Sequence, residues 1–281
     1  MKIVVLDGYT LFPGDLDMQP LLALGNVVFY DRTPPQEVAA RIGDAPIVLT
    51  NKARITREIM QACPELRYIG VLATGYNVVD YVAARRLGID VCNVPSYGTA
   101  AVAQFTFALM LELCHQIGHH DRAVHQGKWC ECSNFCFWDT PQMELGGKTL
   151  GIIGFGRIGQ EVAKLASAFG MHILAYSRSR KTGCTHPVEY TDLDTLLSRS
   201  DFISLHCPLF PETEKIINAE ALSKMKDGAI LINTARGGLL DEEAVRDALV
   251  SGKLSAAAVD VVTQEPMERD NPLLSAPNCI I

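Results

Sequence analysis

Three glycines stand where a phosphate could be held. The stretch "GIIGFGRIGQ", residues 151–160, places Gly154, Gly156 and Gly159 between a short apolar run and a helix-like run. In that setting the first glycine makes a tight turn, the second admits a pyrophosphate to a helix N-terminus, and the third lets helix and strand pack closely. Arg157 and Ile158 open the helix that follows. About 20 residues further on, a dinucleotide with a free 2′-hydroxyl wants a carboxylate. Here the run ends in Ser177, Arg178, Ser179, Arg180 and Lys181, and arginine forks well onto a phosphate. These residues favour NADP(H), with NAD(H) possible.

Hydride transfer to a bound carbonyl needs more: a cation for carboxylate and oxygen, and a proton donor or acceptor. Asn233-Thr234-Ala235-Arg236-Gly237 closes an apolar run. In open α/β sheets ligands lie outside the carboxyl ends of strands, which places Arg236 to face one. Asp260 closes the next run, and Glu265-Pro266 lies just beyond. A charge at a strand end is tolerated when it meets solvent or a partner.

The elements that must carry these residues form two series. In the first, KIVVL (2–6), PIVLT (46–50), LRYIGVL (66–72) and GIDVC (88–92) read as strands, with helices in RTPPQEVAARI and TREIMQACP. In the second, strands fall at 148–154, 172–177, 201–206, 228–234 and 256–262, and helices at about 157–169, 192–199, 220–226 and 241–250. Asn278–Ile281 begins another strand-like run. Such alternation predicts parallel sheets covered by helices. Between the series, AAVAQFTFALMLELCHQIGHHDRAV reads as one long helix, apolar on most faces for its first fifteen positions and nearly free of breakers. A helix of that kind is buried between domains or subunits, and a homodimer interface is expected there. The division falls into residues 1–97, for substrate, and residues 98–281, for the dinucleotide and the long helix.

Composition excludes several classes. A chain of 281 residues accommodates two domains, and its net charge of -7 gives no support to nucleic acid binding. The first apolar run ends at Asp7, too soon for a signal peptide, and no stretch approaches the ~18 residues of a membrane span. Nine scattered cysteines fit reduced thiols in a cytoplasmic protein. Cys130, Cys132 and Cys136, near His125, lack the second ligand pair of a zinc site, so no metal is expected.

The segments VLATGYNVVD (71–80), NVPSYGTAAVAQFTFALML (93–111), GKTLGIIGFGRIGQ (147–160), HCPLFPETEKIIN (206–218), INTARGGLLDEEA (232–244) and VDVVTQEP (259–266) span the chain. Together they resemble the NAD(P)-dependent D-2-hydroxyacid dehydrogenases. Trp138, in FCFWDTPQMELGGK (135–148), points to the glycerate dehydrogenase or hydroxypyruvate reductase branch. The resemblance implies two Rossmann-like domains, one flavodoxin-like and one dinucleotide-binding, with a cleft between them. The implied activity is reversible reduction of a small 2-oxo acid, hydroxypyruvate or glyoxylate, to the D-2-hydroxy acid.

Residue by residue, the resemblance implies that Arg236 binds the substrate's carboxylate and 2-oxo oxygen. Glu265 pairs with a catalytic histidine and raises its pKa. Backbone amides of Ala73, Thr74 and Gly75 cradle the carboxylate. Asp260 holds the nicotinamide carboxamide, with Thr234 and Ala235 beside the cofactor. His206, Cys207 and Pro208 flank the adenosine, Thr213 lies near the ribose or phosphates, and Thr99 is close to the cofactor.

Departures from the pattern are Gln104, where the family often has Glu, and Ser177 in place of an acid. The family's Pro-His follows a strand like PNCII, so the catalytic histidine and a returning C-terminal helix are expected beyond Ile281. A chain truly truncated before them is expected to be inactive. His115, His119, His120, His125, His172, His186 and His206 are not expected to replace that histidine as proton donor. Two other readings compete. One is an inactive, dinucleotide-binding regulator of the corepressor kind. The other is an enzyme for phosphonates or bulkier keto acids, with side chains after Tyr76 and near Phe12 deciding.

Overall fold

Short β-branched runs separated by polar turns give strands buried on both faces, and these assemble into two wholly parallel sheets. The computed structural model describes residues 1–11, 14–180, 184 and 186–281; Phe12 and Lys181, named above, lie outside the described residues. The chain divides into two compact units, Met1–Gly98 and Thr99–Ile281.

The first unit runs β1 (Lys2–Val5), α1 (Gln19–Leu22), β2 (Asn26–Phe29), α2 (Val38–Ile42), β3 (Ile47–Thr50), α3 (Arg57–Ala62), β4 (Tyr68–Val71), α4 (Tyr81–Arg86) and β5 (Asp90–Asn93). Its strand order is β2-β1-β3-β4-β5, the flavodoxin-like arrangement. Val4, Leu6, Ile42, Val48, Met60 and Ile69 are buried together between sheet and helices. The Asp80 carboxylate caps α4 by accepting from Ala83 N–H at 2.9 Å. The edge strand β2 has no fully buried residue, and NVVF was not among the strands read from the sequence.

The second unit runs α5 (Thr99–His115), α6 (Ile117–His125), β6 (Thr149–Ile153), α7 (Arg157–Ala168), β7 (His172–Tyr176), β8 (Glu189–Tyr190), α8 (Leu193–Arg199), β9 (Phe202–Leu205), α9 (Ala219–Lys224), β10 (Ala229–Asn233), α10 (Glu242–Val250), β11 (Leu254–Val259) and β12 (Cys279–Ile280). Its order is β12-β11-β10-β9-β6-β7-β8. The chain therefore winds one way from β6 and the other way from β9, so the crevice between their carboxyl ends is a topological switch point. Two apolar clusters cover the faces. One takes Leu196, Leu222 and Val245 from α8, α9 and α10; the other takes Phe107, Met110, Val162 and Ala166 from α5 and α7.

Two expectations need correction. The long helix is broken: α5 and α6 meet at 54°, with Gln116 at φ 47° between them. The Glu112 carboxylate explains the break, since it accepts from Ile117 N–H at 3.1 Å and Gly118 N–H at 3.3 Å and so starts a new helix. The strand expected at 256–262 starts and ends earlier, at Leu254–Val259. Beyond it, Asp260 N–H reaches sideways to Asn233 O at 3.0 Å and the chain leaves the sheet. Among the described residues no single helix is long and apolar enough to cross a membrane.

Candidate active site

The glycine loop begins where β6 ends, fully buried from Leu150 to Ile153. Gly154 has φ +97°, a region that disfavours any side chain. A Cβ there would also stand 2.6 Å from His206 C and 2.7 Å from Cys207 Cα. At Gly159 a Cβ would collide with the Gly154 carbonyl oxygen, so this glycine lets α7 close on the loop. Gly156 differs: a Cβ would meet nothing within 4 Å, and no side chain caps α7 there. Open space, a bare helix N-terminus and its positive dipole end suit a pyrophosphate. Beside it, Thr99, Arg157, Gln160, Glu161, Lys164, Cys184 and His186 line a cavity of about 350 Å³.

Ser177 follows β7 and is half-buried, while Arg178, Ser179 and Arg180 are exposed. The Arg178 guanidinium stands over the Phe210 ring at 5.3 Å, and Arg180 over Tyr190 at 5.7 Å. Neither arginine pairs with a carboxylate among the described residues. Across the switch point, His206 follows β9, and its Nε2 lies 2.8 Å from Ser204 Oγ. Burial pushes its pKa down to about 4, so this imidazole is neutral at neutral pH. Burial likewise pushes the Cys207 thiol up to about 11, which keeps it protonated. Pro208 is exposed. The Thr213 hydroxyl closes its own loop, accepting from Phe210 N–H and donating to Pro208 O, both at 2.8 Å.

The other groups expected to face a ligand follow β10 and β11. Every residue of β10 is buried, including Asn233. Thr234 is also buried, with its hydroxyl 3.1 Å from that of Thr106, which itself donates to Val102 O on α5. Ala235 is half-buried and Arg236 is exposed. Arg236 Nη1 donates to Ala235 O at 2.6 Å, and no carboxylate pairs with it among the described residues. Its remaining N–H groups can therefore meet an anionic ligand. Asp260 and Glu265 are both exposed at the next strand end. Burial of its carboxyl, then the Glu265 charge, raises the Asp260 pKa above the ordinary value.

In the first unit, Ala73, Thr74 and Gly75 follow β4 at the carboxyl end of the sheet. Ala73 O accepts from Val94 N–H at 3.1 Å, Thr74 Oγ1 donates to Val94 O at 3.1 Å, and Thr74 O accepts from Asn93 Nδ2 at 2.8 Å. The loop is held while its three successive N–H groups donate to no described residue. Such a row of amides receives a carboxylate well. Nearby, exposed Tyr76 stands edge-on to Tyr81 at 5.5 Å.

His206 lies at the switch point and His186 lines the cavity beside the glycine loop, whereas the other five histidines sit elsewhere in the second unit. His119 Nε2 meets Asp139 at 2.7 Å, His120 Nδ1 meets Gln116 O at 2.9 Å, and His125 Nδ1 meets Asp121 O at 3.0 Å, all on or beside α6. His115 Nδ1 contacts Gln142, and His172 starts β7 at the opposite end of the sheet from the glycine loop. Gln104 is exposed on α5, and Trp138 is largely exposed. Sequence reasoning missed Asn233, Thr106, Ser204 and Glu242. For Asn233, Thr106 and Ser204 the signal was a polar residue inside or closing an apolar run, as in AILIN and FISL; Glu242 gave none.

A doubly wound parallel sheet with a glycine loop at its switch point is the architecture of a dinucleotide-binding oxidoreductase. The chain belongs to the D-isomer specific 2-hydroxyacid dehydrogenases: residues 107–281 match that family's NAD binding domain. It is 56% identical to a hydroxypyruvate reductase of Blautia hydrogenotrophica over 100% of this chain and 88% of that protein. It is 42% identical to a glycerate dehydrogenase of Methylorubrum extorquens, over 88% of this chain and 77% of that one. Among solved structures, an acyclic imino acid reductase in complex with NADPH and D-Arg superposes with a TM-score of 0.88 at 30% identity. That match covers 100% of this chain and 88% of the other. These relatives are reductases and dehydrogenases, which does not favour the regulatory reading.

Proposed function

We propose that this protein reduces hydroxypyruvate, and glyoxylate less well, to the D-2-hydroxy acid, using NADPH in preference to NADH. Arg236 carries the reading. It is a guanidinium held at the end of a fully buried strand, with no carboxylate partner among the described residues. It binds the substrate carboxylate and 2-oxo oxygen and stabilises the alkoxide charge as that oxygen gains electrons. Within the first unit, the successive amides of Ala73, Thr74 and Gly75 form a row of donors suited to a carboxylate. When bound, the dinucleotide supplies the hydride. Gly154, Gly156 and Gly159 admit its pyrophosphate to α7, and Asp260 accepts from the carboxamide to fix the ring face. Glu265 is the carboxylate partner of the imidazole that protonates the product oxygen, keeping that imidazole charged near neutral pH.

The NADPH preference is supported by Arg178 and Arg180, two exposed cations without carboxylate partners among the described residues, and by Ser177 where a carboxylate would repel a 2′-phosphate. The homodimer reading is supported by Phe105, exposed on the apolar α5, and by Ile117 at the start of α6. All nine cysteines are free, which supports the cytoplasmic reading. Initial rates with hydroxypyruvate, glyoxylate and pyruvate, each with NADPH and NADH, test the assignment. The highest kcat/KM is expected for hydroxypyruvate with NADPH. A higher value with pyruvate, or with NADH, overturns the corresponding half.

A further inference from the structure

Glu242 opens α10, and an acidic residue there would ordinarily be read as favouring the positive end of the helix dipole. The helix has other groups for that purpose. Asp241 caps it by accepting from Ala244 N–H at 3.3 Å, and Glu243 shares the first turn. The Glu242 carboxylate turns away from its own helix. One oxygen accepts from Thr263 N–H at 2.7 Å, and the other accepts from Asn271 Nδ2 at 2.9 Å. Asn271 cannot turn its amide over without loss, because its Oδ1 accepts from Leu273 N–H at 3.0 Å. Both Glu242 oxygens thus grip the segment 263–271 on either side of Glu265.

The same segment is held at its root. Gly237 packs so closely on Val262 that a Cβ would collide with the Val262 carbonyl, and Asp260 N–H is bonded to Asn233 O. The segment needs holding, because the Asp260 and Glu265 charges repel each other.

We propose that Glu242 is a positioning residue for the reaction: it fixes the segment bearing Glu265, and so sets how well that carboxylate meets the proton-donating imidazole. The proposal rests on the reading of Glu265 given above. The bonds it depends on are charge-assisted, and they hold only while Glu242 is an acceptor on both oxygens.

The test compares Glu242→Gln, Asn271→Ala, Glu243→Gln and Glu265→Gln with the wild-type protein, by the pH profile of kcat/KM for hydroxypyruvate and by NADPH affinity. Glu242→Gln keeps an acceptor for Thr263 but sets a second amide against Asn271. Reduction consumes a protonated imidazole, so weakening its carboxylate partner moves the alkaline fall of the profile to lower pH. Glu265→Gln is expected to move it by about one pH unit. Glu242→Gln and Asn271→Ala should move it in the same direction, with kcat/KM down roughly tenfold at neutral pH and NADPH affinity unchanged. Glu243→Gln makes the same charge change without touching the segment and should behave as wild type. If Glu242→Gln fails to fold, Asn271→Ala carries the test from the other side of the bond. A shift in Glu265→Gln with wild-type profiles in the Glu242 and Asn271 variants overturns the positioning role alone. An unshifted profile in Glu265→Gln, or no turnover by the wild-type protein, overturns the Glu265 reading and the proposal together.

Discussion

The Asn233 side chain closes on the backbone of Arg236. Its Nδ2 donates to the Arg236 carbonyl at 2.8 Å while its Oδ1 accepts from Ala235 N–H at 3.0 Å. A buried amide therefore shapes the turn that delivers an exposed guanidinium. Its backbone oxygen also takes Asp260 N–H, so one residue registers the ends of β10 and β11.

Replacing Asn233 should injure both stability and substrate binding. Asn233→Ala takes the buried amide away from the Ala235 N–H and the Arg236 carbonyl in a half-buried turn, and losing each bond costs about 1–2 kcal/mol. The expected result in chemical denaturation is a loss of roughly 2–4 kcal/mol. KM for hydroxypyruvate should rise while NADPH affinity changes little, a split that distinguishes a displaced Arg236 from a general loosening.

The cofactor preference has its own test. Arg178→Ala combined with Arg180→Ala removes two cations without breaking any ion pair seen among the described residues, so folding should be unaffected. A charge-assisted hydrogen bond is worth about 1.5–3 kcal/mol, so NADPH affinity should fall roughly ten- to hundredfold at low salt. NADH affinity should stay near wild type. Equal losses for both cofactors in fluorescence titrations would contradict the 2′-phosphate assignment.

Acid should weaken the folded apoprotein through His206. Its folded pKa is depressed to about 4, whereas the ordinary value is 6.5. Unfolding therefore takes up a proton between those values. The stability this imidazole lends is present above 6.5 and is lost as the pH falls towards about 4. The full linkage amounts to about 3 kcal/mol. His206→Gln, which keeps polar atoms beside Ser204 Oγ, should flatten that part of the stability profile in denaturant titrations between pH ~7 and ~4.5. A variant that loses stability on acidification as steeply as wild type would contradict the burial argument.

Local signals made much of the scaffold legible. Gly154, Gly156 and Gly159 follow a buried strand and open α7, so their spacing and setting make the strand–loop–helix turn legible. Arg236 and Asp260 were placed by the rule that ligands gather at strand carboxyl ends, and both do follow strands. Other features were invisible because their causes lie far off in sequence. Glu242 looks like any acid at a helix start until Thr263 and Asn271 fold against it. Gln116 breaks the run although it is neither glycine nor proline, because a carboxylate one turn earlier captures the amides of Ile117 and Gly118. The edge strand β2 escaped because a half-exposed strand buries too little to show a pattern.

The central claim is most directly tested by the oxidation of NADPH with hydroxypyruvate, followed by loss of the reduced nicotinamide absorbance and by identification of the product enantiomer. The account predicts saturable consumption yielding D-glycerate in equal amount, and a loss of about 10²–10³-fold in kcat/KM for Arg236→Gln with NADPH affinity intact. No turnover, L-glycerate as the product, or an Arg236→Gln variant as fast as wild type would contradict it.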